Sequence, residues 1–326
     1  MTRSVRLAAA LGVGWAGAAL WAHGAVILQP LAEPGSRWWG YAENNSYWPR
    51  EVRWGAVVAV AVVLFAVADT GRRRGRTVTA GALLWIGADV ALDRADPGHA
   101  ALIPAAVLAG AAITATALWL CRTSDRAGIS GLPAVLCLLA AFSLLTLESP
   151  TDEEPELVPS ATAGYLLFAV AALVCVLAAL PGTWSRRRQG LVLVIGATGL
   201  SLALVPGPFA ADAVLCLALV AATAVVTRPW TGPARALGVA LAHGLILPGV
   251  LMFALVTLLE AARPFTALAG NPPINSADSD PSIVLVVVVA TLVWAGLGRL
   301  FMVVTAELHP EPEPAAGKPA TSWEAA

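Results

Sequence analysis

Long apolar runs separated by short polar segments are the dominant pattern of the chain. Residues 55–68, for example, are apolar throughout, and four arginines follow within residues 72–76. About 20 residues of α-helix cross a hydrocarbon core about 30 Å thick, and a backbone in lipid must satisfy its own hydrogen bonds. The runs also lack the alternation of polar and apolar positions that barrel strands show. They therefore predict membrane-spanning helices.

Ten runs of this kind predict an all-α, polytopic integral membrane helical bundle of about ten transmembrane helices. Residues 1–305 form a single transmembrane domain in this interpretation, and the Pro-rich polar tail over residues 306–326 is predicted to be disordered. The expected helices lie at about residues 6–28, 54–70, 77–96, 100–121, 130–148, 161–182, 190–205, 210–227, 236–260 and 283–305.

Two parts of this topology leave alternatives open. The first run follows a basic start, MTRSVR, and small residues at Ala22 and Gly24 fit a signal-peptide cleavage site. Its apolar character continues to Leu28, which favours an uncleaved first helix. The run at 190–205 is short and is followed by two prolines, so a re-entrant hairpin there would leave eight full spans.

Charge distribution orients the predicted bundle. Short loops rich in arginine stay in the cytoplasm, and placing the block at 72–76 there puts at least two arginines in every inner loop and most acids outside. Both termini are then cytoplasmic. Only 13% of the residues are charged, against about 25% in soluble domains, so the predicted setting is a membrane. Lys318 is the only lysine beside many arginines, which is typical of GC-rich bacterial coding, so the expected membrane is a bacterial-type plasma membrane. The expected partners are the lipid bilayer and other membrane subunits, not nucleic acid.

Acidic residues in the third predicted helix are the first candidate site. Trp85, Asp89 and Asp93 follow one another at four-residue spacing and therefore share one helix face. Ionisable groups within a membrane are costly, and each is a functional candidate by default. The stripe predicts a proton or cation site that opens outward. The alternative is that the helix ends near Asp89 and that the acids are solvated.

Two histidines are further candidates for ion, proton or substrate contact. His23 lies about as deep in the first helix as Asp93 lies in the third, so the two could pair, or His23 could face lipid headgroups. His243 precedes Pro248 by five residues, and the backbone groups that a proline frees are often satisfied by polar neighbours. The role of His243 is either a gating contact or a simple hydrogen bond to a neighbouring helix. We see no ligand spacing for a metal and predict no metal and no cofactor.

An aromatic segment after the first helix is the third candidate. Its five predicted platform residues are Trp38, Trp39, Tyr41, Tyr47 and Trp48. Trp and Tyr are typical of the membrane interface, so the segment is interpreted as an interfacial platform on the outer face. A surface for a sugar or lipid headgroup is the functional alternative.

The segment from Gly12 to Gly17 matches the dinucleotide-binding pattern GxGxxG. No strand precedes it, and it lies within a predicted spanning helix, so the nucleotide interpretation fails. Small residues in a spanning helix instead predict close approach by another helix.

The most favoured function is a small-molecule or ion permease, or the membrane subunit of a transport complex. Ten tightly connected spans, the lack of a soluble domain and the acidic stripe favour it. One alternative is a membrane scaffold or assembly partner that performs no catalysis. Another is an enzyme that acts on a lipid-linked substrate at the outer face. The sequence leans away from an enzyme without excluding one.

Overall fold

The computed structural model describes eleven parts of the chain. These are residues 3–31, 48–68, 72–95, 99–122, 134, 137, 155–179, 186–204, 209–227, 232–241 and 243–244. The predicted helices at 130–148, 236–260 and 283–305 therefore lie wholly or mostly outside the described residues, as does the tail at 306–326. All regular secondary structure in the described parts is helical, as predicted.

Eight α-helices make up most of the described chain. They are α1 (Arg3–His23), α2 (Trp48–Val67), α3 (Arg72–Ala95), α4 (His99–Leu120), α5 (Val158–Ala179), α6 (Arg186–Leu204), α7 (Phe209–Thr227) and α8 (Pro233–Leu241). A π-helical turn (Gly24–Leu28) and a 3-10 turn (Gln29–Leu31) extend α1. A second 3-10 turn (Pro155–Leu157) precedes α5.

Each α-helix overlaps a helix that the hydrophobic pattern predicts. Three described segments are long and apolar enough to cross a membrane: Arg3–Leu31, Ala101–Leu120 and Val158–Ala179. Shorter apolar stretches lie at Val52–Val67 and Leu217–Val226. The structure thus supports a helical protein with three candidate spans.

The observed starts of α2 and α3 differ from the expected ones. The pattern places them at about residues 54 and 77, whereas α2 begins at Trp48 and α3 at Arg72. Arginine and glutamate are good helix formers, so a polar sequence next to an apolar run does not end the helix. Residues 48–53 and 72–76 therefore belong to helices rather than to loops.

Helices α1 and α2 form the centre of the described bundle. They pack against each other along their length, α4 and α5 pack on α1, and α3 and α5 pack on α2. The remaining helices continue outward in chain order, with α6 on α5, α7 on α6 and α8 on α7. Helices α3 and α4 are consecutive, but in the described part of the chain they are not closely packed against each other.

Glycines on α1 allow the close packing at this centre. A Cβ placed on Gly14 would collide with the side chain of Ile113 in α4, and one placed on Gly17 would collide with Val60 in α2. Neither valine nor isoleucine yields easily, because β-branched side chains have little rotamer freedom in helices. The prediction that the Gly12–Gly17 segment serves helix approach is therefore confirmed at these two positions.

Candidate functional site

Four charged residues meet where α2 begins and α3 ends. Arg50 and Arg53 lie three residues apart on α2, and Asp89 and Asp93 lie four residues apart on α3, so each pair shares a helix face. Arg53 bonds both aspartates, and Arg50 bonds Asp93. We call these four residues the arginine–aspartate cluster.

Asp89 is the most enclosed acid of the cluster, with 2% of its side chain exposed. Its Oδ1 accepts hydrogen bonds from Trp21 Nε1 at 2.7 Å and from Arg53 Nε at 2.8 Å. Its Oδ2 accepts from Trp54 Nε1 at 2.7 Å and from Arg53 Nη2 at 3.3 Å. Two donors on each oxygen match the acceptor capacity of an ionised carboxylate. Asp89 therefore joins α1, α2 and α3 through one side chain.

Asp93 lies one turn further along α3 and is more accessible, with 13% of its side chain exposed. Arg53 Nη2 approaches Asp93 Oδ2 at 2.6 Å and Oδ1 at 2.8 Å. Arg50 Nη2 adds a bond to Oδ2 at 3.1 Å. Arg53, which is fully enclosed, also donates from Nη1 to Gln29 Oε1 at 2.8 Å. Asp93 therefore has the largest exposed side-chain fraction of the four cluster residues.

Formal charge within the cluster sums to zero, since two guanidinium groups face two carboxylates. Removing such ions from water costs several kcal/mol each even after relaxation, and only close pairing with further hydrogen bonds offsets that cost. The tryptophan and glutamine donors and acceptors supply those further bonds. The four residues behave electrostatically as one unit, and a change at any one of them leaves a buried charge on another.

Local features of α1 make room for the buried arginine. A Cβ on Gly24 would lie 2.6 Å from Arg53 Cγ, so the small residue at the start of the π-helical turn lets the arginine stem pass. Trp21, one turn earlier, packs edge to face on Trp85 of α3, with ring centroids 6.1 Å apart and an interplanar angle of 64°. Such aromatic pairs add stabilisation beyond the area they bury. The α1 segment therefore encloses the cluster on one side.

The structure brings Asp89 and Asp93 together on one face, as their spacing predicts. α3 continues to Ala95, and Asp89 is buried rather than solvated at a helix end. His23 lies elsewhere: its Nε2 is 2.8 Å from Ser160 Oγ on α5. Both residues line a cavity of about 640 Å³ between α1 and α5.

His243 is buried, and its Nδ1 donates to the carbonyl oxygen of Val239 at 2.9 Å. This is a bond to a residue one turn earlier in the chain. Of the predicted aromatic platform, only Trp48 falls within the described residues, as the first residue of α2. The predictions for Trp38, Trp39, Tyr41 and Tyr47 lie outside the described residues.

The sequence interpretation missed the cationic half of the cluster because it assigned residues 29–53 to a loop. One signal was nevertheless visible. In the predicted outer segment at 29–53, three arginines balance three acids, whereas acids outnumber arginines in the other predicted outer segments. An arginine that violates the positive-inside bias needs a partner. The spacing of Arg50 and Arg53 on one face points toward such a partner.

Among the described residues, no group of three or more His, Cys, Asp or Glu side chains could hold a metal ion. Of the four side chains in the cluster, only the two carboxylates can take up and release a proton, because a guanidinium stays protonated in proteins. No protein-family model, curated protein or solved structure matches the chain.

Proposed function

We propose that this protein is a multi-spanning permease, or the membrane subunit of a transport complex, in a bacterial-type plasma membrane. In this proposal the chain has about ten spans and both termini in the cytoplasm. The observation that carries it is the arginine–aspartate cluster, four ionisable residues enclosed between three helices. Asp89 and Asp93 are the proposed ion or proton sites.

The energetic cost of burying the four charged residues supports this function. Apolar side chains of similar volume would hold the three helices together without the desolvation penalty of four ions, and such replacements are often neutral or stabilising. Ionisable residues that persist within a membrane are therefore functional candidates by default. The described contacts of α1 with Asp89 further support an α1 that stays in the mature protein.

A difference in access between the two aspartates suggests the order of events. A proton or cation that arrives from outside meets Asp93 first, because Asp89 is almost fully enclosed. Neutralising Asp93 removes a negative charge that faces Arg50 at 3.1 Å and Arg53 at 2.6 Å. Two guanidinium groups would then face a single carboxylate, which favours a rearrangement of α2 relative to α3. Such a two-state element is what ion coupling requires.

A second place in the bundle suits a transported molecule. The cavity between α1 and α5 is mostly apolar and has His23 and Ser160 as its polar lining. Its volume of about 640 Å³ falls within the range of small-molecule sites, about 300–1,000 Å³. His23 is the proposed substrate contact there. For His243 the described bond to Val239 gives no support beyond the sequence argument.

Proton uptake into proteoliposomes tests the proposal. The purified protein is reconstituted with a pH-sensitive dye inside, and an inside-negative potential is imposed. We expect uptake above that of empty vesicles and a fall of at least tenfold in Asp93→Asn. Glu156→Gln, at an exposed acid before α5, is the matched control and should leave the rate unchanged.

Two outcomes would count against transport. Wild-type vesicles as tight to protons as empty ones would argue against a permease driven in this way. Full uptake by Asp93→Asn, with the variant folded by its thermal unfolding profile, would remove the cluster from the mechanism.

A scaffold is the second candidate, and one observation favours it. Every oxygen position of Asp89 is already used by donors from α1 and α2, as expected for a tie between helices. A scaffold would lose stability in Asp93→Asn and would show no proton uptake in either form. The enzyme alternative depends on residues 37–47, which lie outside the described residues, and it stays a prediction.

A further inference from the structure

A slot lies between α3 and α4. The two helices are not closely packed against each other, and the space between them, which α1 and α2 close from behind, is a cavity of about 390 Å³. Leu84 of α3 and Leu108 of α4 line it and are also 75% and 70% exposed. Residues that line a cavity and face outward mark its mouth. The slot therefore opens sideways, toward the medium around the bundle.

Small side chains form much of the slot. Those from α3 and α4 are Gly81, Ala82, Ala88, Ala105, Ala109 and Ala112. Along α3 the lining runs from Thr77 to Leu92, which corresponds to about 22 Å at the helical rise of 1.5 Å per residue. This length exceeds half of a hydrocarbon core about 30 Å thick. The slot is a long, narrow, apolar channel that lies along the helix.

The slot continues into a basic depression at the start of α3. That depression, of about 700 Å³, is lined by Arg73, Arg76, Thr77, Ala80, Gly81 and Leu84. Thr77, Gly81 and Leu84 also line the slot, so the two spaces adjoin. Arg73 and Arg76 lie three residues apart, on one face, and both are exposed. A positive end thus leads directly into an apolar channel.

We propose that this composite groove binds one anionic phospholipid. The net negative charge of its head group lies beside Arg73 and Arg76, and one of its acyl chains lies in the slot between α3 and α4. Charge selects the head group, because basic residues at the membrane surface attract anionic lipids by about 1 kcal/mol each. The slot favours an acyl chain, because an apolar lining offers polar molecules no hydrogen-bond partners. The slot adjoins the arginine–aspartate cluster through Trp21, which lines the slot and donates to Asp89, but none of the four cluster residues lines it. The proposal rests only on the protein being embedded in a membrane.

Gly81 is a position at which a larger side chain can be introduced beside the slot without a steric clash. A Cβ at Gly81 would meet nothing within 4 Å, so Gly81→Leu places its side chain in open space within the slot. Gly87, on the same helix, also has nothing within 4 Å of its Cβ position and does not line the slot. Gly87→Leu is therefore a control matched in residue type, helix and added volume.

Native mass spectrometry of the purified, delipidated full chain tests the proposal. The probes are phosphatidylglycerol and phosphatidylcholine with identical acyl chains, and inorganic phosphate. We expect the wild type to bind phosphatidylglycerol more tightly than phosphatidylcholine. The double variant Arg73→Gln, Arg76→Gln should lose about 30-fold in phosphatidylglycerol affinity, at about fivefold per arginine, and little in phosphatidylcholine affinity. Arg122→Gln, at an exposed arginine after α4, should change neither.

The acyl-chain part is tested separately. Gly81→Leu should weaken both lipids at least about tenfold, because it displaces two or more methylene groups from the slot, whereas Gly87→Leu should match the wild type. Equal affinity for the two lipids in the wild type would overturn the proposal. So would displacement of lipid by inorganic phosphate together with unchanged binding in Gly81→Leu, which indicates a phosphate site without a chain. Thermal unfolding of each variant shows that it is folded, and none of these readouts depends on proton uptake.

Discussion

Removing Arg53 is the most informative single perturbation of the bundle. Arg53→Met deletes the partner that Asp89 and Asp93 share and leaves two buried carboxylates with only Arg50 between them. Breaking a buried pair from one side costs about 3–5 kcal/mol. Asp89→Leu should cost about as much, since it leaves an excess positive charge. Independent effects would therefore sum to roughly 6–10 kcal/mol.

The double variant Arg53→Met, Asp89→Leu should cost much less than that sum. Arg50 and Asp93 remain as a pair at 3.1 Å, so the net charge returns to zero. What remains is the loss of the acceptor of Trp21 and Trp54, at about 1–3 kcal/mol for each orphaned donor. The double variant should therefore cost roughly 2–6 kcal/mol, and from the middles of the two ranges we expect it to be about 4 kcal/mol more stable than additivity predicts.

Equilibrium unfolding in mixed micelles, followed by circular dichroism, measures these free energies. Thr77→Val is a suitable control, because its hydroxyl is exposed and bonds only the preceding turn, so its effect should stay within about 0.5 kcal/mol. Additive costs for Arg53→Met and Asp89→Leu, within about 0.5 kcal/mol, would show that the two residues do not interact and would refute the cluster as drawn.

Two further predictions concern the packing of α1. Trp21→Phe should destabilise the protein by about 1.5–3 kcal/mol, because it removes a hydrogen bond to a charged group, whereas Trp15→Phe, which loses an exposed bond, should cost far less; equal costs in the same unfolding assay would contradict this. Gly17→Ala should cost about 1–3 kcal/mol by forcing Val60 away from α1, and Gly12→Ala, which meets nothing, should be close to neutral. A neutral Gly17→Ala would mean that α1 and α2 pack less closely than described.

Particular residues show how far sequence reasoning reached. The shared face of Asp89 and Asp93 was predictable, because a four-residue spacing fixes neighbours within one helix. Close helix approach at Gly14 and Gly17 was also predictable in kind, although the partners Ile113 and Val60 were not. Within a helix the geometry is local, so the sequence carries it.

The sequence did not predict which side chains pair between different helices. Arg53 is 36 residues from Asp89 along the chain, and it lay in a segment interpreted as a loop. His23 could be assigned a depth, and that depth suggested Asp93, yet its partner is Ser160, 137 residues away. Depth along a helix axis does not report which neighbour stands beside it.

The sequence by itself determined the helical character of the chain and the positions of the apolar runs, including the three segments that are able to cross a membrane. It did so because chain length and hydropathy alone decide what can span a hydrocarbon core. The tertiary structure alone decided which helices touch, and hence that Arg53 neutralises Asp89 and Asp93. Lipid tails are as apolar as leucine, so apolar surface does not choose a partner helix. Fit at small residues and pairing of buried charges make that choice, and both depend on side chains brought together from distant parts of the chain.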